Sequence, residues 1–276
     1  MPSLLQQNAK AALVADLRAR IIGPPAGFET TGNGRFVPLG VGAIDAVLPG
    51  GGLKAGALHE VGAEDYRDMG AATGFLAALA VRLAENGSMP VLWCGSAQSS
   101  FDIGALYGPG LASFGFDPAR LVLALPASVT DCLWTMEEAL RSGAFAAVIG
   151  EVDGRTTALD LTATRRLQFA AEEKGTPALL FTGHNGGAAS VAVTRWRIAA
   201  LPGAVIPDTE AFDGLAGAPC WRVALTRVRG GVPGAWNVAW HAADRRFALA
   251  DMSASAPREK RLTSGDASVV AFRQSA

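Results

Sequence analysis

The sequence predicts an α/β fold: a mostly parallel sheet with helices on both faces, closed by an antiparallel meander. Three observations predict it. Between residues 57 and 183, short continuous apolar runs alternate with helix-length segments, as expected of parallel strands buried on both faces. After residue 190 the apolar runs follow one another, and the last three are separated only by turns. Half of the 276 residues are hydrophobic and 18% are charged, which is enough apolar matter for a large core.

Residues 3–22 place Leu4, Leu5, Ala11, Ala12, Val14, Leu17 and Ile21 at helical spacing, so the chain opens on an amphipathic helix. "GPPAGFETTGNGRF" (23–36) then reads as a linker. The core follows. "ALHEV" (57–61) leads to a helix over 71–86, "PVLWC" (90–94) to one over 99–113, and "LVLAL" (121–125) to one over 129–142. "AAVIGEV" (146–152) leads to a helix over 157–174, and "PALLFTG" (177–183) follows. The meander comprises 194–201, 221–228, 236–241 and 246–250, with turns at "RGGVPG" (229–234) and "AADR" (242–245). The expected division is an N-terminal helix and linker (1–36), a core domain (37–252) and a polar C-terminal tail (253–276).

The net charge of −1 argues against wholesale electrostatic capture of nucleic acid, though it allows a local basic patch. Cys94, Cys132 and Cys220 lie in apolar stretches and are expected as buried free thiols, consistent with a cytoplasmic location. His59, His184 and His241 have no metal-ligand spacing, so no metal is expected. Polar residues interrupt every apolar run of the N-terminus, and no stretch has the length of a membrane span.

"LGVGAIDAVLPGGGLKAGALHEVGAE" (39–64) resembles the opening of a RecA-type ATPase core, with Asp45 in a turn, Gly51 and Gly52 doubled, then Leu53 and Gly56 before the first core strand. "EEALRSGAFAAVIGEVDG" (137–154) resembles the helix and Walker B strand of that core. "PALLFTGHN" (177–185) and "VTRWRIAAL" (193–201) resemble its next two strands, and "RVALTRVRGG" (222–231) its closing hairpin. The order and spacing hold over roughly residues 37–250. Within that superfamily the chain looks most like the ImuA family, whose members keep the core and lack the standard nucleotide signature. The resemblance implies a RecA-like accessory role in damage-induced, error-prone translesion synthesis. It implies an ImuB-like Y-family polymerase homologue and an error-prone replicative-type polymerase as partners, with RecA itself a further candidate. No cofactor is implied.

A working phosphate loop, G-x-x-x-x-G-K-[ST], needs backbone N–H groups around the phosphates, a lysine on the β- and γ-phosphates, and a hydroxyl on magnesium. Counted from Gly62, the second glycine position holds Arg67 and the next two hold Asp68 and Met69. Counted with Gly70 as the second glycine, the lysine and threonine positions are Ala71 and Ala72. Thr73 is one step late, and Arg67 is a poor substitute for lysine in a tight cradle. Glu64, Asp65 and Asp68 would repel a triphosphate, each like-charge pair at close range costing a few kcal/mol at an effective dielectric of about 20. Two other readings stand beside a degenerate site. The stretch is a plain strand-to-helix connection with Asp68 capping the helix and Gly70 and Gly74 packed near the sheet, or it is a partner surface built on Tyr66 and Arg67.

The Walker B position holds Gly150 or Glu151 depending on register, with Asp153 beyond; Glu151 reads either as a stand-in carboxylate or as a solvated strand end. Where the family places its catalytic glutamate, this chain offers Gln98 and Asp102. His184 and Asn185 stand at the nucleotide-sensing glutamine. With lysine, glutamate and a clear Walker B all wanting, ATP hydrolysis is not expected and the chain reads as a non-enzyme. The alternative is an active RecA-superfamily ATPase in recombination or repair with an altered loop. An unrelated α/β enzyme finds no nucleophile–base set in the sequence.

Arg155, Arg165, Arg166 and Arg195 read as solvated charges or as a phosphate-tracking stripe. Positive charge is denser late, at Arg222, Arg227, Arg229, Arg245, Arg246, Arg258, Lys260 and Arg261, with Trp221, Trp236 and Trp240 nearby. That region would bind single-stranded DNA by stacking and charge if the tryptophans faced outward; their alternation also fits core positions. The N-terminal stripe that includes Leu4, Leu5 and Leu17 has the pattern of a helix that docks in a partner's groove.

Overall fold

The computed structural model describes residues 34–84, 88–95, 101, 104–185, 189–204 and 217–250. The expected N-terminal helix with Leu4, Leu5 and Leu17, the tail with Arg258, Lys260 and Arg261, and Gln98 and Asp102 lie outside the described residues.

Nine strands form one sheet. The parallel part consists of β3 (Leu58–Ala63), β4 (Val91–Gly95), β5 (Leu121–Ala124), β6 (Ala147–Glu151) and β7 (Ala178–Phe181). The antiparallel part consists of β8 (Thr194–Ala204), β9 (Ala218–Val228), β10 (Gly234–His241) and β11 (Arg246–Leu249). Their order is β11-β10-β9-β8-β3-β7-β6-β4-β5, with β8 parallel to β3 and antiparallel to β9. A small ribbon precedes it, made of β1 (Phe36–Val37) and β2 (Leu53–Lys54) with the short helix α1 (Gly42–Asp45) between them. The ribbon begins at Phe36, one residue inside the expected linker.

The helices form where capping residues frame an amphipathic pattern. For α4 (Val129–Ser142), Ser128 accepts from Asp131 N at the start, and Gly143 takes a left-handed φ of 65° at the end. For α5 (Leu161–Lys174), Asp160 accepts from Ala163 N and Gly175 turns the chain at φ 70°. The helix α2 (Met69–Leu83) is apolar nearly all round and buried along most of its length. One expectation fails: among the described residues of 99–113 only Gly108–Ser113 is helical (α3), because Gly104 at φ 81° and Tyr107 in extended backbone cannot continue a helix.

Each sheet face has its own core. On one face α2 packs with Val61, Trp93, Ile149, Phe181, Trp196 and Trp221. On the other, α4 and α5 cover Leu58, Leu92, Val148 and Leu180. Trp221 and Trp240 are 2% and 1% exposed, locked against Phe247 at ring distances of 6.1 and 4.8 Å. Of the two readings their alternation allowed, the core position holds for both, and burying each indole contributes a few kcal/mol.

Candidate functional site

The site to be tested lies at the C-terminal end of β3, the end at which open α/β sheets place their ligands. All six residues of β3 are buried between β7 and β8. Its end is fixed by Ala63 N donating to Gly183 O (2.9 Å) and Glu64 N to Ile198 O (2.8 Å). The chain then makes a 3-10 turn, Tyr66–Asp68, and enters α2.

The turn is held by its own carboxylates. Tyr66 N donates to Asp65 Oδ1 (2.6 Å), and Asp65 N donates to Asp68 Oδ2 (3.2 Å), a reciprocal capping box. Asp68 N donates to Asp65 O (3.1 Å), and Met69 N returns to Tyr66 O. In a phosphate loop such N–H groups face the ligand. Here the carboxylates of Asp65 and Asp68 take two of them, Tyr66 N and Asp65 N, as a bound anion would. Asp68 is only 7% exposed because its other oxygen, Oδ1, accepts from Ala200 N on β8 (2.9 Å). The expectation that Asp68 caps α2 is corrected accordingly: it makes no cap bond to that helix and ties the turn to the sheet.

The remaining loop positions are also committed. Arg67 bonds Asp65 Oδ2 at 3.2 Å, both side chains being largely exposed, so this pair contributes little. Thr73 donates its hydroxyl to Met69 O within α2 (3.1 Å). Gly70 is exposed with open space around it, not packed near the sheet as expected, whereas Gly74 does make a close approach, to Phe114 and Trp221. Gly62 meets a different neighbour: a Cβ there would stand 2.7 Å from Arg197 Nη1. That guanidinium lies across the strand end, donating to Ala63 O (2.8 Å) and His184 O (3.3 Å). Arg197 was invisible to loop counting, since only the pairing of Gly62 with Arg197 across β3 and β8 brings it there.

Glu151 ends β6, two strands away from β3 with β7 between, hence about 10 Å across the sheet. It turns toward β4, where Trp93 Nε1 donates to its Oε1 (2.8 Å). Burial pushes its carboxyl above the usual range, opposed in part by the Trp93 bond. Asp153, beyond it, is bound by the Arg155 backbone (2.9 Å) and guanidinium (3.2 Å). Partial burial pushes its pKa up, but the Arg155 bonds and charge, with His184 nearby, outweigh this and hold it below the ordinary value. His184 carries Tyr66 edge-on at 5.5 Å, and its buried Nδ1 has no partner among the described residues.

The other arginines considered from sequence divide in two. Arg195 pairs with buried Glu60 at 2.5 Å and Arg166 with buried Glu137 at 2.5 Å, so neither is a free solvated charge. Arg227 and Arg229 donate to backbone carbonyls, of Ser190 (2.8 Å) and Val191 (3.3 Å). All three cysteines are buried and unbridged; Cys94 and Cys132 bring their sulfurs to 3.2 Å, a pairing their separation in sequence conceals. Among the described residues no cluster of metal-ligating side chains occurs and no helix is long and apolar enough to cross a membrane.

No protein-family profile matches the chain. Protein ImuA of Caulobacter vibrioides, strain NA1000 / CB15N, is 36% identical over 208 residues, covering 70% of this chain and 79% of the relative. Protein ImuA of Caulobacter vibrioides strain ATCC 19089 / CIP 103742 / CB 15 matches to the same extent. Among solved structures, the RadB recombinase superposes with a TM-score of 0.51 at 13% identity, covering 78% of this chain and 100% of its own. At that identity the likeness shows the fold, which is RecA-like.

Proposed function

The chain belongs to the ImuA family, and on that premise we propose that it is a non-catalytic, RecA-like accessory protein of damage-induced, error-prone translesion DNA synthesis. It works in the cytoplasm through protein–protein contacts. Its partners on this reading are an ImuB-like homologue of Y-family polymerases and an error-prone replicative-type polymerase, with RecA a further candidate. Residues 37–252 are the core domain, and residues 1–36 and 253–276 are flanking segments available for docking.

The observation that carries the non-catalytic part is the loop after β3. Its Asp65 and Tyr66 N–H groups are bound by the carboxylates of Asp68 and Asp65, and Thr73 is bonded within its helix. No lysine lies between Lys54 and Lys174. A nucleotide would have to displace two carboxylates and then do without the cation that phosphoryl transfer requires. The same turn leaves Tyr66 half exposed beside the open Arg67–Asp65 pair, which supports a contact role for Tyr66 and Arg67.

Co-purification of the tagged full-length chain from cells with damaged DNA tests the partner claim. A Y-family polymerase-like protein in the eluate, reduced by the exchange Tyr66→Ala with Arg67→Glu, is the expected result. Its absence from the wild-type eluate would count against the whole assignment.

A further inference from the structure

The antiparallel strands present two unlike faces. On β8, buried Trp196 and Ile198 alternate with Arg195, Arg197 and Ala199. Cross-strand pairing sets Arg195 opposite Arg227, Arg197 opposite Ala224, and Ala199 opposite Arg222, which in turn lies opposite Asn237 on β10. Residues directly opposite in a ladder share a face. The arginines therefore line the side away from the tryptophan core, with small residues between them. A register shift between Arg195 and Trp196 puts Arg227, rather than Thr226, onto that face.

Among the described residues the charge on this face is only partly neutralised. Arg195 is paired with Glu60. Arg197, Arg227 and Arg229, by contrast, lean on backbone carbonyls, which orient a guanidinium without cancelling its charge. Arg222 is exposed, with no partner among the described residues, and Arg227 and Arg229 are exposed as well. A row Arg229–Arg227–Arg197–Arg222 thus runs along the strands, its members roughly two residues, or about 7 Å, apart. In a chain of net charge −1 this is a concentrated strip of positive charge.

We propose that this open face of β8 and β9 binds the phosphodiester backbone of a single-stranded nucleic acid. One row of cations fits one backbone. Because every tryptophan of β8, β9 and β10 faces the opposite side or is buried there, no base stacking contributes and the contact is indifferent to sequence. The surface is independent of the protein–protein role proposed above and of any nucleotide.

Fluorescence anisotropy of the full-length chain with a labelled oligothymidylate of about 30 nucleotides, titrated across salt, tests it. Four phosphate contacts give a log–log salt slope of about −3 for a single strand. The exchange Arg222→Glu with Arg229→Glu is expected to weaken binding at least about tenfold at about 50 mM salt and to reduce the slope by about half, with an unchanged thermal melt. Oligouridylate separates DNA from RNA as the source of the backbone; similar affinity for the two is expected of phosphate contact alone. No binding of either oligomer at low salt overturns the proposal. So does tighter binding of duplex, equal competition by polyglutamate, or unaltered binding by Arg222→Glu with Arg229→Glu and by Arg222→Ala with Arg229→Ala.

Discussion

The turn after β3 and the open face of β8 and β9 are adjacent, yet they handle charge in opposite ways. In the turn, exposed Asp65 accepts from Tyr66 N and buried Asp68 from Asp65 N and Ala200 N, the bonds on which the proposed closure to an incoming anion rests. On the face, Arg197, Arg227 and Arg229 use one edge of each guanidinium on a carbonyl and keep their charge. A charged side chain that completes its hydrogen bonding on backbone of opposite polarity anchors structure. One that leaves its charge unmatched remains able to recognise a partner. On the proposed reading, the RecA-like scaffold has given up a ligand at the position where the fold places one and keeps charge where it does not.

The sharpest way to break this contrast is at Arg195, the arginine of that face that does meet a carboxylate. Arg195→Ala leaves Glu60, 2% exposed, as an uncompensated buried charge. It is expected to cost about 4 kcal/mol in urea denaturation, whereas Arg222→Ala on the same face changes stability by less than about 0.5 kcal/mol. Next in size is Asp68→Ala, which strips Ala200 N and Asp65 N of their acceptor. A loss of about 3 kcal/mol is expected, and a loss under about 1 kcal/mol would mean that the turn does not depend on its carboxylates.

A smaller effect lies at the base of β3. His59 is buried, bonded to Thr194 Oγ1 (2.7 Å) and Lys54 O (2.9 Å), and burial lowers its pKa from the ordinary 6.5 to about 4. The unfolded chain therefore takes up this proton first as pH falls. The contribution is whole above about pH 6.5 and diminishes toward pH 4, by about 2 kcal/mol at pH 5. Glu151, with its raised carboxyl, acts in the opposite sense, so the readout is the difference between wild type and His59→Asn in denaturation at pH 7 and pH 5. The variant should lose less on acidification; equal losses would place the His59 proton elsewhere.

The fold was legible because its local signals agree. The span 129–142 is an α-helix from end to end, since Ser128 and Gly143 mark both limits and Cys132, Leu133, Met136 and Leu140 mark the buried side. The helix expected over 99–113 is only Gly108–Ser113 among the described residues, because Gly104 at φ 81° and the extended Tyr107 interrupt the pattern just before it. At the candidate site, the missing lysine was plain from counting. What replaces it was not, because Asp68 finds Ala200 far along the chain and Gly62 meets Arg197 only through the register of β3 and β8. The arginine face was hidden for the same reason: a single bulge at Arg195/Trp196 decides on which side Arg227 emerges. Long-range pairing and register, rather than local pattern, carry these features.

The most direct test of the central claim, that the loop after β3 is closed to nucleotide, is a calorimetric titration of the full-length chain with magnesium ATP. No saturable binding up to about 1 mM is the expected result. Micromolar affinity, abolished by Thr73→Ala or Glu151→Gln, would contradict the account.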